Sequence, residues 1–365
     1  MKRLKLGMVG GGQGAFIGGV HRIAARLDGK WELVAGALSS DPDRAAASAA
    51  DLGIPADRSY TSFAEMAQAE AAREDGIDAV AIVTPNHLHA APAIAFLDAG
   101  IHVICDKPLA ATQEQAQELA AAARRSDARF ILTHNYTGYP LIRLARKMVA
   151  RGDLGAIRVI QAEYAQDWLA EDTQNKQADW RTDPTRAGAG AIGDIGTHAF
   201  NLLSFVTGLQ TEALSAELHS FVEGRAVDDN AHILLRLEDG ARGMIWASQV
   251  AVGNENGLRL RVYGAKGGLE WSQENPNQMW FTRFGNAPQL LTRGQGEATE
   301  GTRIPPGHPE GYLEGFATLY SEAADLISGA SETAPLPGLD DGLDGMWFIS
   351  SCLESSRDAG RWVKK

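Results

Sequence analysis

The chain has 365 residues, 44% of them hydrophobic and 22% charged, and a formal net charge of −12. That length supports two domains with a large core, and the acidic surface disfavours nucleic acid, since the densest basic stretch, 143–151, reads as one solvated helix face. A glycine run follows the basic first residues, no apolar run reaches bilayer length, and Cys105 and Cys352 lie too far apart for a disulfide framework; no membrane contact and a cytoplasmic location are expected.

Residues 4–9 read as a short buried strand, broken by the glycines that follow. Val20, Ile23, Ala24 and Leu27 then mark one face of a helix. Strand and helix alternate from there: a strand at 31–38, helices at 42–52 and 63–72, a strand at 79–83, a helix at 89–99, a strand at 102–105, a helix at 112–125 and a strand at 130–133. Such short alternating steps predict a parallel sheet covered on both faces. The pattern changes near Asn135. After a helix at 140–151, strands dominate: 158–168, 211–222, 229–238, 241–249, 258–264 and 268–272. Asp239-Gly240 is a hairpin turn signal, 285–309 reads as a long loop, and helices return at 310–327 and 342–357. The expected fold is an α/β Rossmann dinucleotide-binding domain over 1–134. An α+β domain with a large, mostly antiparallel open sheet follows over 135–365, serving substrate binding and oligomerisation.

The turn Gly10-Gly11-Gly12-Gln13-Gly14-Ala15 fits G-x-G-x-x-A, with Gly10, Gly12 and Ala15 in the three roles. The first glycine permits the tight turn, the second lets backbone approach a pyrophosphate, and the small third residue lets helix pack on strand. The helix N-terminus beginning at Phe16 then offers free N–H groups to the anion. An acid at the end of the second strand normally binds the ribose hydroxyls of NAD. Here Ser39 and Ser40 stand in that place, with Asp41 and Arg44 close behind, so NAD is favoured and NADP stays open. Asp41 also reads as a helix cap before Pro42.

Ligands of an open α/β sheet sit beyond the carboxyl ends of its strands. The third strand ends in Thr84-Pro85-Asn86-His87-Leu88-His89 and the fourth in Cys105-Asp106-Lys107-Pro108. The first cluster is either a ligand contact or a simple turn. Lys107, just past a buried strand, faces either a ligand or solvent. Farther on, a glycine run from Gly188 leads through Asp194 to His198. Four residues apart, the two share one helix face, where a carboxylate orients an imidazole for proton transfer. The alternative is a first-turn acid and a core histidine. The glycines before them suggest close approach to a ligand. No metal site is expected, because Cys105, His87 and His89 lack partners at ligand spacing.

Taken together, Gly-x-Gly-x-x-Ala, Thr84-Pro85-Asn86-x-x-His89, Asp106-Lys107-Pro108 and Gly193-Asp194-x-x-x-His198 resemble the Gfo/Idh/MocA oxidoreductases, relatives of inositol dehydrogenase and glucose–fructose oxidoreductase. The resemblance covers essentially the whole chain. It departs from the family at Asp106, where Glu is usual, and at Ser39, where an acid is usual. It implies an NAD(P)-dependent dehydrogenase that oxidises a secondary hydroxyl of a sugar, inositol or glycoside. His198 would be the base, Lys107 would polarise the oxygen, and Asp194 would bind substrate or orient the histidine. Gly10, Gly12, Gln13, Gly14, Ala15, Phe16, Ser39, Ser40, Thr84, Pro85, Asn86, His89, Asp106, Lys107, Trp180 and Arg181 would hold the cofactor. Asn135, Tyr136, Trp168 and Arg181 would join Lys107, Asp194 and His198 around the substrate. A homodimer or homotetramer is implied. Two alternatives share these motifs: a glycosidase acting by transient oxidation with bound NAD, and a non-catalytic sugar- or dinucleotide-sensing regulator.

Overall fold

The computed structural model describes residues 3–365; Met1 and Lys2, at the head of the basic opening segment, lie outside it. The chain divides into two compact units. The first holds residues 1–135 and 313–346, the second 136–312 and 347–365.

The first unit begins with β1 (Leu4–Gly10), α1 (Phe16–Leu27), β2 (Trp31–Ala37), α2 (Pro42–Asp51), α3 (Phe63–Ala71), β3 (Ala79–Val83), α4 (Ala90–Asp98), β4 (His102–Cys105), α5 (Gln113–Arg125) and β5 (Phe130–Leu132). Its five strands are all parallel, in the order β2-β1-β3-β4-β5. Strands covered on both faces need apolar side chains at every position, and all five residues of β3 are buried. The helices start where the sequence supplies a cap: Asp41, Ser62 and Thr112 each accept an amide hydrogen from the first turn of α2, α3 and α5. The strand order reverses direction between β1 and β3, and there the register places Gly10 opposite Val83. In this kind of sheet the crevice at that switch point receives the ligand.

The second unit contains α6 (Pro140–Ala150), β6 (Ile157–Ala165), α7 (Lys176–Arg181), α8 (Pro184–Ala187), a π-helical turn (Ile192–Gly196), α9 (Thr197–Thr207), β7 (Thr211–His219), β8 (Asn230–Leu237), β9 (Arg242–Ser248), β10 (Gly257–Gly264), β11 (Gly267–Ser272), β12 (Gln278–Arg283) and β13 (Gln289–Thr292). After α10 (Tyr312–Ile327), which lies almost wholly in the first unit, come α11 (Leu339–Arg357), shared between the units, and β14 (Val363–Lys364). Nine strands form one sheet in the order β13-β12-β11-β10-β6-β9-β8-β7-β14. Of these pairings only β6 with β9 is parallel. α9 packs on β6, β9 and β10. In β8, Ile233, Leu235 and Leu237 are buried while His232, Leu234 and Arg236 are exposed, the period-2 pattern of a sheet covered on one face. The hairpin from β8 to β9 turns at Asp239 and Gly240, both with positive φ.

The sequence pattern does not mark β12, β14, α7 or α8, and two longer segments also differ from the sequence expectation. The stretch 285–309 is not a plain loop. It contains β13 and then folds around buried Arg293, which donates to Asn277 Oδ1 at 2.7 Å, to Glu310 Oε1 and the Ile304 carbonyl at 3.0 Å, and to the carbonyls of Pro305 and His308. These carbonyls satisfy a guanidinium that would otherwise be stranded in the interior. The second difference is the return of 313–346 to the first unit. There the Tyr320 carbonyl accepts from Trp31 Nε1 at 2.8 Å, and Asp325 pairs with Lys30 at 2.6 Å. Among the described residues no helix is long and apolar enough to cross a membrane.

Candidate functional site

The glycine-rich turn joins β1 to α1. Gly10, Gly11 and Gly14 have φ of 78°, 73° and 76°, a region L side chains avoid. A Cβ on Gly12 would lie 2.7 Å from the Leu38 carbonyl oxygen and 2.9 Å from Ser48 Oγ. Gly18 packs helix closely on turn: a Cβ there would stand 2.4 Å from Gly11 Cα. Ala15 occupies the N-cap of α1, which has no side-chain cap and no acid in its first turn. This contrasts with the side-chain caps of α2, α3 and α5. Uncapped N–H groups on a 12-residue helix with a glycine approach are what a pyrophosphate requires, so the residues present fit a dinucleotide. Gln13 is tied elsewhere, its N–H to Ser48 Oγ at 3.1 Å and its side chain to Asp51 at 2.7 Å. Phe16 is exposed. Arg22, which the sequence reading passed over, donates to the Gly11 carbonyl at 2.6 Å.

At the end of β2, Ser39 Oγ accepts from the Asp41 N–H at 3.1 Å, and Asp41 caps α2 through the Arg44 N–H at 2.8 Å. Ser40 is exposed beside them. At the end of β3, Thr84 packs on the turn, its Cγ2 only 2.8 Å from where a Gly10 Cβ would sit. Pro85 and buried Asn86 follow. His89 is turned inward: Nδ1 lies 2.7 Å from the Pro108 carbonyl and Nε2 2.8 Å from the Thr84 carbonyl. Burial lowers its pKa, so the neutral ring has one N–H and donates to one of these two carbonyls while lying against the other.

Lys107 follows β4, half-buried, and its peptide to Pro108 is cis. Asp106 Oδ1 accepts from the Lys107 N–H at 2.9 Å and from Thr133 Oγ1 at 3.2 Å. The next strand end brings His134 and Asn135, both buried. Burial, reinforced by the positive charge of Lys107, lowers the His134 pKa to about 3, so the ring is neutral. Nothing in the sequence pattern marked His134, because only the parallel pairing of β4 with β5 sets it near the lysine.

In the second unit, α7 carries Trp180 and Arg181. The Arg181 guanidinium lies 4.3 Å from the Trp180 ring centre and 5.9 Å from that of Trp168, which sits beyond the end of β6. Arg181 Nε donates to Asp194 Oδ2 at 3.1 Å, and Gln249 Nε2 donates to the same oxygen at 3.0 Å. Asp194 thus has its charge matched and its carboxylate fixed from two sides. It sits within the π-helical turn and not on the α-helix expected from the sequence; α9 begins only at Thr197. Such turns are inserted most often where a side chain must be aimed. His198, buried in the first turn of α9, meets the Tyr136 ring edge-on at 4.9 Å and the Tyr164 ring at 6.0 Å. The two phenols share a hydrogen bond of 2.6 Å, and Tyr164 donates onward to Asn256 Oδ1 at 2.8 Å. Burial raises both phenol pKa values, so they stay protonated. Tyr164, Gln249 and Asn256 were not foreseen; each arrives through strand pairing.

Within the glycine run before Asp194, Gly190 is required by the fold itself. A Cβ on Gly190 would lie 1.8 Å from the Asp228 carbonyl oxygen. The Asp228 backbone is what approaches Gly190.

Comparison with known proteins identifies both halves of the chain. Residues 4–134 match the oxidoreductase family with an NAD-binding Rossmann fold, and residues 142–270 match the GFO/IDH/MocA C-terminal domain. An oxidoreductase from Sinorhizobium meliloti is 55% identical, with a TM-score of 0.92 and full coverage of both chains. An inositol dehydrogenase homolog from Azotobacter vinelandii, solved with NAD+, is 37% identical, with a TM-score of 0.95 over 100% of this chain and 98% of that one; its structure with NADH and myo-inositol is also similar. The levoglucosan dehydrogenase of Pseudarthrobacter phenanthrenivorans is 29% identical over 100% of this chain and 98% of its own. With the dinucleotide turn, both halves of the fold and these full-length likenesses in agreement, the chain belongs to the Gfo/Idh/MocA oxidoreductases, a family of NAD-dependent sugar- and inositol-type dehydrogenases.

Proposed function

We propose that this enzyme oxidises a secondary hydroxyl of a cyclic polyol, either an inositol or a pyranose-type sugar or glycoside, with NAD as the preferred acceptor. The observation that carries the reading is Asp194, fixed by Arg181 and Gln249 on a π-turn that leads directly into His198. A polyol needs several polar anchors at fixed positions, and Lys107, Asn135, Tyr136, Trp168, Arg181 and Asp194 supply them. His198 takes the hydroxyl proton, since an imidazole does so near neutral pH. Lys107 donates a hydrogen bond to the reacting oxygen and offsets its developing charge. Bound NAD supplies the hydride acceptor. The uncapped start of α1, with Gly10, Gly12, Gly14 and Ala15, holds the pyrophosphate. Thr84, Pro85, Asn86, Asp106, Trp180 and the Ser39-Ser40 hydroxyls complete the cofactor's surroundings, while Gln13, Phe16 and His89 contribute through the turn and the scaffold. NAD is preferred over NADP because Asp41, beside the serines, opposes a 2′-phosphate; the NAD+ and NADH bound by the Azotobacter homolog are consistent with that choice.

The uncovered face of the nine-stranded sheet exposes Val159, Leu234, Met244, Trp280 and Leu290, an apolar set that supports a homodimer or homotetramer. Buried, unpaired Cys105 and Cys352 suit a reducing cytoplasm. The test is a screen of myo-inositol, other inositols, pyranoses and levoglucosan with NAD and NADP separately, following absorbance of the reduced nicotinamide. Sustained reduction with one ring polyol and NAD is expected. Turnover of glycosides without net reduction, or no turnover of any polyol, overturns the reading.

A further inference from the structure

Asp228 precedes β8 and is 9% exposed. Its carboxylate accepts the Gly190 N–H at 2.8 Å and the Ile192 N–H at 2.7 Å, and its carbonyl accepts the Ala191 N–H at 2.8 Å. Three consecutive amides at the start of a helical segment are thus satisfied by one residue from another element. In an ordinary helix that task falls to a local N-cap. Gly190 is what permits the docking, since any side chain there would overlap the Asp228 backbone. The neighbouring residue acts on the same turn by a second route. The Asp229 carbonyl accepts the Gln249 N–H at 2.8 Å, and the Gln249 side chain donates to Asp194.

We infer that Asp228 is a positioning residue for the reaction: as a carboxylate it caps the 190–196 turn from across the chain and so fixes where Asp194 and His198 point. The inference rests on the reading of those two residues as the reacting pair. Its chemistry carries a pH dependence. A neutral carboxyl keeps one strong acceptor oxygen, but its hydroxyl oxygen is a far weaker acceptor and carries a hydrogen that competes for the same space, so protonation weakens the hold on one of the two N–H groups. Burial, partly countered by the Ile192 and Gly190 amides, raises the Asp228 pKa to about 6, with Asp229 adding in the same direction. The groups facing it are Asp229, whose charge is paired with Arg225 at 3.3 Å, and the Cys352 thiol of α11, which burial holds neutral.

The experiment compares wild type, Asp228→Asn and Asp228→Ala in steady-state kinetics across pH 5 to 9, using the polyol identified by the screen, and measures NAD affinity by fluorescence titration. A misdirected base costs about 10²-fold in turnover. Both variants should lose about that much kcat with NAD affinity unchanged. The acid limb of kcat should show two protonations in wild type and one in Asp228→Asn. Unchanged kcat and an unchanged acid limb in a folded variant overturn the inference while the dehydrogenase reading stands. Deuterium exchange of wild type supplies a readout that needs no variant and no substrate. Protection of the Gly190–Ile192 amides, corrected for intrinsic rate, should fall as pH drops through about 6; constant protection refutes the switchable cap. A wild type inactive on every polyol overturns the functional reading, and the exchange result then decides the cap alone.

Discussion

At the residue scale, the proposed chemistry concentrates on two side chains whose surroundings differ. Lys107 is half-buried behind β4, beside Asp106 and the neutral ring of His134. His198 packs against two phenol rings, edge-on to Tyr136 and tilted to Tyr164. Lys107 is half-buried and its truncation should leave the fold intact, whereas His198 is buried, so fold retention in that variant is checked by circular dichroism. Lys107→Ala and His198→Ala are each expected to lower kcat by at least about 10²-fold, the usual worth of a positioned acid or base. Cofactor affinity, read by fluorescence titration, should stay within about threefold, since the pyrophosphate is held elsewhere. Near-normal turnover in both variants would show that proton transfer runs through other groups. Lys107 and His198 stood out in the sequence because strand ends and a one-turn spacing are local signals. His134, Gln249, Asn256 and Asp228 did not, because each reaches its place through strand pairing or loop docking with residues far along the chain.

At the element scale, the glycine turn and the segment around Arg293 make opposite demands on sequence. The turn is legible because its requirement is steric and local. Gly12→Val should abolish NAD binding while circular dichroism stays unchanged: its Cβ would meet the Leu38 carbonyl at 2.7 Å, and the branched chain would fill the space for the phosphates. Retained affinity in that variant would remove the turn from the site. The 285–309 segment looks like a loop because glycines and prolines dominate it, yet one buried guanidinium organises it from the inside. Arg293→Met leaves the buried Glu310 carboxylate without its cation, held by the Arg303 and Ile304 N–H groups, and breaking a buried pair from one side costs about 3–5 kcal/mol. The expected result is a lower unfolding midpoint and rapid proteolysis within 293–310. A midpoint within about 0.5 kcal/mol of wild type would place the segment's order in its backbone instead. The π-turn was illegible for a related reason: a Gly-rich helix start reads the same whether the turn closes over four residues or five, and the choice is made by Asp228 and Gln249.

At the scale of the whole molecule, strand-helix alternation was enough to predict the parallel sheet, and the later run of alternating strands showed a second, mostly antiparallel sheet but missed its strands β12, β13 and β14. The discontinuity of the units was not predictable, because α10 is amphipathic and would suit either core; its docking by Trp31, Lys30 and His21 is visible only in three dimensions. The two units also respond differently to acid. In the first, burial lowers the pKa of His134 to about 3 against 6.5 when unfolded, and lowers that of His21 as well. A folded pKa below the unfolded value means that the unfolded chain binds the proton first. For His134 this contribution to stability is therefore complete above pH 6.5 and is lost as pH falls from 6.5 towards 3, by about 1.4 kcal/mol per pH unit. Asp228 in the second unit has the opposite sign. Its folded pKa of about 6 lies above 3.8, so its contribution is present below 3.8 and is lost as pH rises through 6. Between pH 7 and 5.5 the first unit should thus lose about 1.4 kcal/mol through His134 alone, while Asp228 moves the second unit the other way. Hydrogen exchange followed unit by unit, with guanidinium titrations at both pH values, separates the two. His134→Gln, neutral in both states, should flatten the slope of the first unit by that amount. An equal slope in the variant, or acid loosening confined to the second unit, would show that His134 keeps a proton in the folded chain and that its burial does not set the acid limit of the dinucleotide-binding half.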